Sequence, residues 1–220
     1  MQPAVDPLAQ LTEIRAIMER SSRFLSLSGL AGVGAGVVAL IGAGVAHVAL
    51  QHELGPAGFD QLAAGGVSAD ERQALLPLLI GLAGVMIALG LLVAFFFTRR
   101  RATHTGQALW GSAARRLALS LAAPLGAGGL FALALYQQGA GGLVVPAMLL
   151  FYGLALLSAS KYTLDEIRSL GYVQVALGLV GLLLPTLGLW LFAAGFGAAH
   201  IGYGLLMFNR YERGPRVPTA

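Results

Sequence analysis

"LLPLLIGLAGVMIALGLLVAFFFTRRR", residues 75–101, decides the fold. From Leu75 to Phe97 no side chain carries a charge, and three arginines follow Thr98. A helix of about 18 or more apolar residues is long enough to cross the hydrocarbon core of a bilayer. The arginines mark where such a helix would leave it.

Working outward from 75–97, five further apolar runs fall at 26–49, 117–136, 143–160, 164–184 and 187–208. The reading is an all-α membrane protein, a bundle of six transmembrane helices over residues 26–208. Composition agrees. Of 220 residues, 57% are hydrophobic and 11% are charged, with mean hydropathy +0.76. Soluble domains carry about 25% charged residues. Cysteine is absent, which excludes disulfides and thiolate chemistry. No internal repeat of the kind common in transporters stands out.

Lysine and arginine set the orientation. Arg15, Arg20 and Arg23 precede the first run, and Arg99, Arg100, Arg101, Arg115 and Arg116 lie between the second and third. Lys161 and Arg168 lie between the fourth and fifth, and Arg210, Arg213 and Arg216 follow the sixth. Only Arg72 falls on the opposite side. The expectation is six spans with both termini in the cytoplasm of a bacterium, in its inner membrane. The same basic residues suit anionic lipid heads and give no reason to expect nucleic acid.

Residues 1–25 read differently. Asp6 and Pro7 suit a helix start, and Leu11, Ile14, Met18 and Leu25 share one face opposite Glu13, Glu19, Arg20 and Arg23. That is an amphipathic helix, either lying on the membrane or packed on its own protein. The apolar stretch after it exceeds a signal-peptide core, so cleavage is not expected. Residues 209–220 read as a cytoplasmic tail. Ser68 with Glu71, and Thr163 with Glu166, are spaced as helix-capping boxes. Pro124 predicts a bend in the third span.

The 31 glycines lie largely inside the apolar runs. "GVGAGVV", from Gly32, lacks the spacing and the strand of a nucleotide-binding loop. Gly29, Gly32 and Gly36 instead form a small-residue face for another helix, and Gly188, Gly195 and Gly202 form a second ridge.

Among the four histidines, His47 and His52 fall near the outer surface, His104 falls in a loop, and His200 lies within the sixth run. They do not converge, so no metal site, catalytic set or cofactor is called for. Paired intramembrane carboxylates and Ser-His-acid patterns are also missing. The fifth and sixth runs make a hairpin about Pro185 and Thr186. Counting about 1.5 Å per residue puts Gln174 roughly 17 Å and His200 roughly 21 Å from that turn. Tyr172, Gln174, His200 and Tyr203 therefore form a candidate intramembrane polar cluster. His200 either locks the hairpin by hydrogen bonding to Gln174 or a tyrosine, or serves a ligand. Arg20, Arg23, Asp165, Glu166, Arg168, Glu212 and Arg213 form a candidate charged cytoplasmic face.

"EIRAIMERSSRFLSLSGLAGVGAG" near the start and "GFGAAHIGYGLLMFNRYER" near the end resemble the terminal signatures of a group of uncharacterised bacterial integral membrane proteins. The resemblance implies a multi-span bacterial membrane protein and carries over no activity. Three roles stay open. The first is a non-enzymatic interaction or regulatory component, with a second copy or another membrane or cytosolic protein as partner. The second is a small-molecule transporter or channel. The third is a membrane cofactor-binding protein that uses His200.

Overall fold

The computed structural model describes Phe24, residues 27–106 and residues 109–213. The expected amphipathic helix over 1–25, apart from Phe24, and the tail beyond Arg213 lie outside the described residues. The described chain is all helical: α1 (Gly29–Leu54), α2 (Gly58–Ala63), α3 (Ala69–Thr105), α4 (Ser112–Gln137), α5 (Val144–Ala159), α6 (Glu166–Leu183), α7 (Gly188–Phe192) and α8 (His200–Tyr211). A π-helical segment, Ala193–Ala199, joins α7 to α8. Short 3-10 turns extend α5 and precede α7, so six helical stretches are long and apolar enough to cross a membrane.

α3 is longer than the apolar run that seeds it. The Ser68–Glu71 capping box forms, with the Glu71 carboxylate accepting from the Ser68 backbone N–H at 2.9 Å, and starts the helix six residues before Leu75. At the other end the helix runs through the three arginines to a left-handed Gly106. The second expected box does not form. Thr163 is fully buried and donates its hydroxyl to the Phe24 carbonyl at 2.7 Å, while Glu166 turns toward α8. A tertiary partner for each side chain displaces the local cap. α4 continues unbroken through Pro124.

The packing follows small residues. α1 lies against α8 and the π segment on one side and against α3 on another. Gly29, Gly32 and Gly36 face the last helix as their spacing predicts: a Cβ on Gly36 would come within 2.7 Å of the Gly197 carbonyl oxygen. The second ridge divides. Gly188 abuts Phe59 and Gly195 abuts Leu149 and Gln174, but Gly202 meets nothing within 4 Å. Gly197 and Gly204 take over toward α1, because a helix presents only one face to a neighbour and the π segment shifts which residues occupy it. α5 lies between α4 and α6.

At the end carrying Arg72, buried Leu50, Leu62, Val67, Leu75 and Tyr136 tie α1, α2, α3 and α4 together. The Tyr136 hydroxyl donates to the Arg72 carbonyl at 2.9 Å, and the Arg72 guanidinium donates to the Val67 carbonyl at 2.8 Å. At the opposite, basic end, Phe24 packs with Ala114, Leu117 and Ala159, and its N–H donates to the Tyr162 carbonyl at 2.7 Å.

Candidate functional site

The polar centre of the bundle is built on one backbone carbonyl. Along Ala193–Ala199 the run "AAGFGAA" adopts π geometry, in which the i→i+4 bonds of an α-helix are not made. The Gly195 carbonyl within it receives two side chains. It accepts from Gln174 Nε2 at 2.8 Å and lies 2.9 Å from His200 Nδ1. A carbonyl only accepts, so Nδ1 carries the ring proton. Nε2 is then a bare acceptor, and it receives the Tyr152 hydroxyl at 2.7 Å. A Cβ at Gly195 would sit 2.6 Å from Gln174 Oε1 and 2.5 Å from a Leu149 methyl, so a larger residue there displaces the Gln174 side chain.

Of the two bonds expected of His200, one to Gln174 or one to a tyrosine, the structure holds the tyrosine bond, through Tyr152, and brings Gln174 to a shared acceptor. Gln174 Nε2 and His200 Nδ1 are 3.5 Å apart, and both donate to the same oxygen. Tyr152 was absent from the expected cluster. Its signal was a lone tyrosine at the middle of the fourth apolar run, eight residues before Ser160. The rings of Phe192, Phe196, His200 and Tyr152 form a continuous aromatic file, with centroids 4.8 Å apart for Phe192–Phe196 and 5.3 Å for Tyr152–His200.

Of the other expected members, Tyr203 has a buried hydroxyl without a hydrogen-bond partner among the described residues, as does the Oε1 of fully buried Gln174. Tyr172 does not join them. It is 53% exposed on the outside of α6, where Arg168 Nε donates to its hydroxyl at 3.2 Å. His47, His52 and His104 are all exposed. Among the described residues, no group of three or more His, Asp or Glu side chains gathers in metal-binding fashion.

The expected charged face resolves into two clusters. Glu166 accepts from the Tyr211 hydroxyl at 2.6 Å and pairs with Arg210 at 2.9 Å, joining α6 to α8. Glu212 reaches across to the start of α1. It accepts from the Ser28 hydroxyl at 3.1 Å and from the Gly29 N–H, so a residue distant in sequence takes the role of N-cap. Arg101, from the end of α3, pairs with Glu212 at 3.4 Å and donates to the Leu27 carbonyl. Arg101 was not among the expected residues, since nothing distinguishes it in sequence from Arg99 and Arg100. Asp165, Arg168 and Arg213 are exposed at this end, and Arg20 and Arg23 lie outside the described residues.

The Glu212 contacts join the ends of three long helices. Charge-assisted hydrogen bonds of this kind are worth about 1.5–3 kcal/mol. Glu212→Ala is expected to lower the free energy of unfolding in detergent by an amount in that range, and Arg213→Ala to leave it unchanged.

Compared with known protein families, curated proteins and solved structures, the chain matches none.

Proposed function

We propose that this chain is a six-span, multi-pass protein of a bacterial inner membrane, with both termini cytoplasmic, acting as a non-enzymatic interaction component. The observation that carries this reading is α3. None of its most apolar stretch is buried within the chain, and Ile87, Leu91, Leu92 and Phe96 are all more than 60% exposed. It packs mainly along one edge of α1, leaving its outer face to lipid and to a partner within the membrane.

Two further features support it. The ends of α1, α3, α4, α5 and α8 that carry most of the basic residues converge at one end, as anionic lipid heads on a cytoplasmic face require. Both ring nitrogens of His200 are already engaged by Gly195 and Tyr152. A haem or metal ligand needs one of them free, so the cofactor role requires displacing a protein partner.

The chain has no cysteine, so single cysteines report cleanly. Ile87→Cys or Leu91→Cys, cross-linked in native membranes, is expected to give a discrete adduct, with a second copy or with another protein. Absence of any adduct from both positions would remove the interaction role. Reporter fusions are expected to place residue 105 and the C-terminus inside and residue 60 outside. An external C-terminus would overturn the topology.

A further inference from the structure

His200 is more than a structural donor. With Nδ1–H committed to Gly195, its Nε2 is a lone-pair base facing one O–H, that of Tyr152. Tyr203 follows His200 by three residues and packs on the same Leu156, Ile167 and Leu170 cluster as Tyr152. A buried hydroxyl without a partner costs about 1–3 kcal/mol and calls for a reason. The Tyr203 hydroxyl is such a group. Tyr152, Glu166, Tyr211 and Arg101 all lie within electrostatic range of it. Glu166 is in turn held by Tyr211 and Arg210 at the basic end.

We propose that His200 is a proton-binding site reached from the basic end of the bundle, with Glu166 as the entry and the Tyr203 and Tyr152 hydroxyls as the relay. A proton on the Glu166 carboxylate passes to the Tyr203 oxygen. The proton that Tyr203 held moves to the Tyr152 oxygen, and the one Tyr152 held moves to His200 Nε2. Each oxygen loses one O–H bond and gains another, so the net change is one proton moved from Glu166 to His200. Because the Tyr203 hydroxyl makes no hydrogen bond in the structure, the relay requires a swing of its ring or one bridging water on each side of it. Afterwards Nε2–H donates to Tyr152, and Nδ1–H still holds Gly195.

The path stops at His200. From α5 the group facing it is Tyr152. From α6 it is Gln174, an amide that does not titrate, and α1 brings only the backbone of Gly32 against the His200 carbonyl. The titratable group in contact with the ring is Tyr152, and Tyr203 in turn lies within electrostatic range of Tyr152, Glu166 and Arg101. Protons enter and leave by the same end.

The test uses the full chain in oriented proteoliposomes, with exposed His47, His52 and His104 changed to Gln so that His200 is the single imidazole. Infrared difference spectra follow a jump from about pH 8 to about pH 4 across the range where imidazole charges. A jump on the basic face is expected to raise an imidazolium band. Tyr203→Phe is expected to slow it by about tenfold or more, as loss of one proton-transfer group does. That variant removes only an unpartnered hydroxyl, so its melting temperature is expected to be unchanged or higher, which separates a lost relay from a damaged fold. Tyr172→Phe, on the outside of the same end, is expected to leave the rate unchanged. No imidazolium band, an unaltered rate in Tyr203→Phe, or an equally fast response to a jump on the opposite face would each overturn the proposal.

Discussion

Gly204→Ala is expected to destabilise the protein by about 2 kcal/mol, whereas Gly202→Ala two residues earlier stabilises it by up to about 1 kcal/mol. The opposite signs come from what each new methyl group meets. A Cβ at Gly204 would lie 2.5 Å from both the Gly29 carbonyl oxygen and the Val33 nitrogen. Those are backbone atoms, which no rotamer change can move aside, so α1 and α8 must separate. Separation also loosens Gly32 and Gly36 and draws Glu212 away from the start of α1. Overpacking of this kind costs about 1–3 kcal/mol or more and exceeds the helix-propensity gain of alanine over glycine. At Gly202 nothing lies within 4 Å, so only the propensity gain remains. Unfolding of both variants in bicelles checks the pair. Equal midpoints would mean that the α1–α8 approach does not hold the bundle together.

The long helices were legible because a length of apolar sequence is a one-dimensional property. Each of the six runs in the sequence lies within or nearly within a helix of the structure, and the ends that differ do so through caps and contacts. Glycine spacing was legible where a straight α-helix keeps its period, as at Gly29, Gly32 and Gly36. It failed at Gly202, because a π turn earlier in the same span changes which residues share a face. The same turn places more residues in each turn of helix, so His200 lies nearer the Pro185 turn than α-helical counting gives and comes level with Gln174. What the sequence could not show was the backbone. The acceptor at the centre of the site is the Gly195 carbonyl, and a carbonyl has no letter of its own. Glu212 and Arg101 were opaque for a related reason. Their partners are an N–H and a carbonyl at the start of α1, well over a hundred residues from Glu212.

That shared carbonyl reverses the sign expected for a double-mutant cycle between His200 and Gln174. A direct bond between the two side chains would make His200→Leu and Gln174→Leu together cost less than the sum of the singles, because no orphan would remain. With both donating to Gly195, each single variant leaves the oxygen one donor and the double variant leaves none. Gln174→Leu alone is expected to cost little, since side-chain hydrogen bonds within membranes average about 0.6 kcal/mol. It also removes the unpartnered Oε1. His200→Leu strands the Tyr152 hydroxyl, but that loss is common to both His200 variants and cancels from the coupling. In the double variant the Gly195 carbonyl loses both side-chain donors inside the bundle, at a cost of about 1–3 kcal/mol. Otherwise the π segment relaxes to α-helical spacing, which turns α8 by about 100° and takes Gly204 off Gly29. Either route makes the double variant about 1–2 kcal/mol less stable than the sum of the singles. Unfolding of the four proteins in bicelles reads the sign directly. A double variant less costly than the sum would restore the direct bond, and strict additivity would show that neither arrangement holds the fifth and sixth spans together.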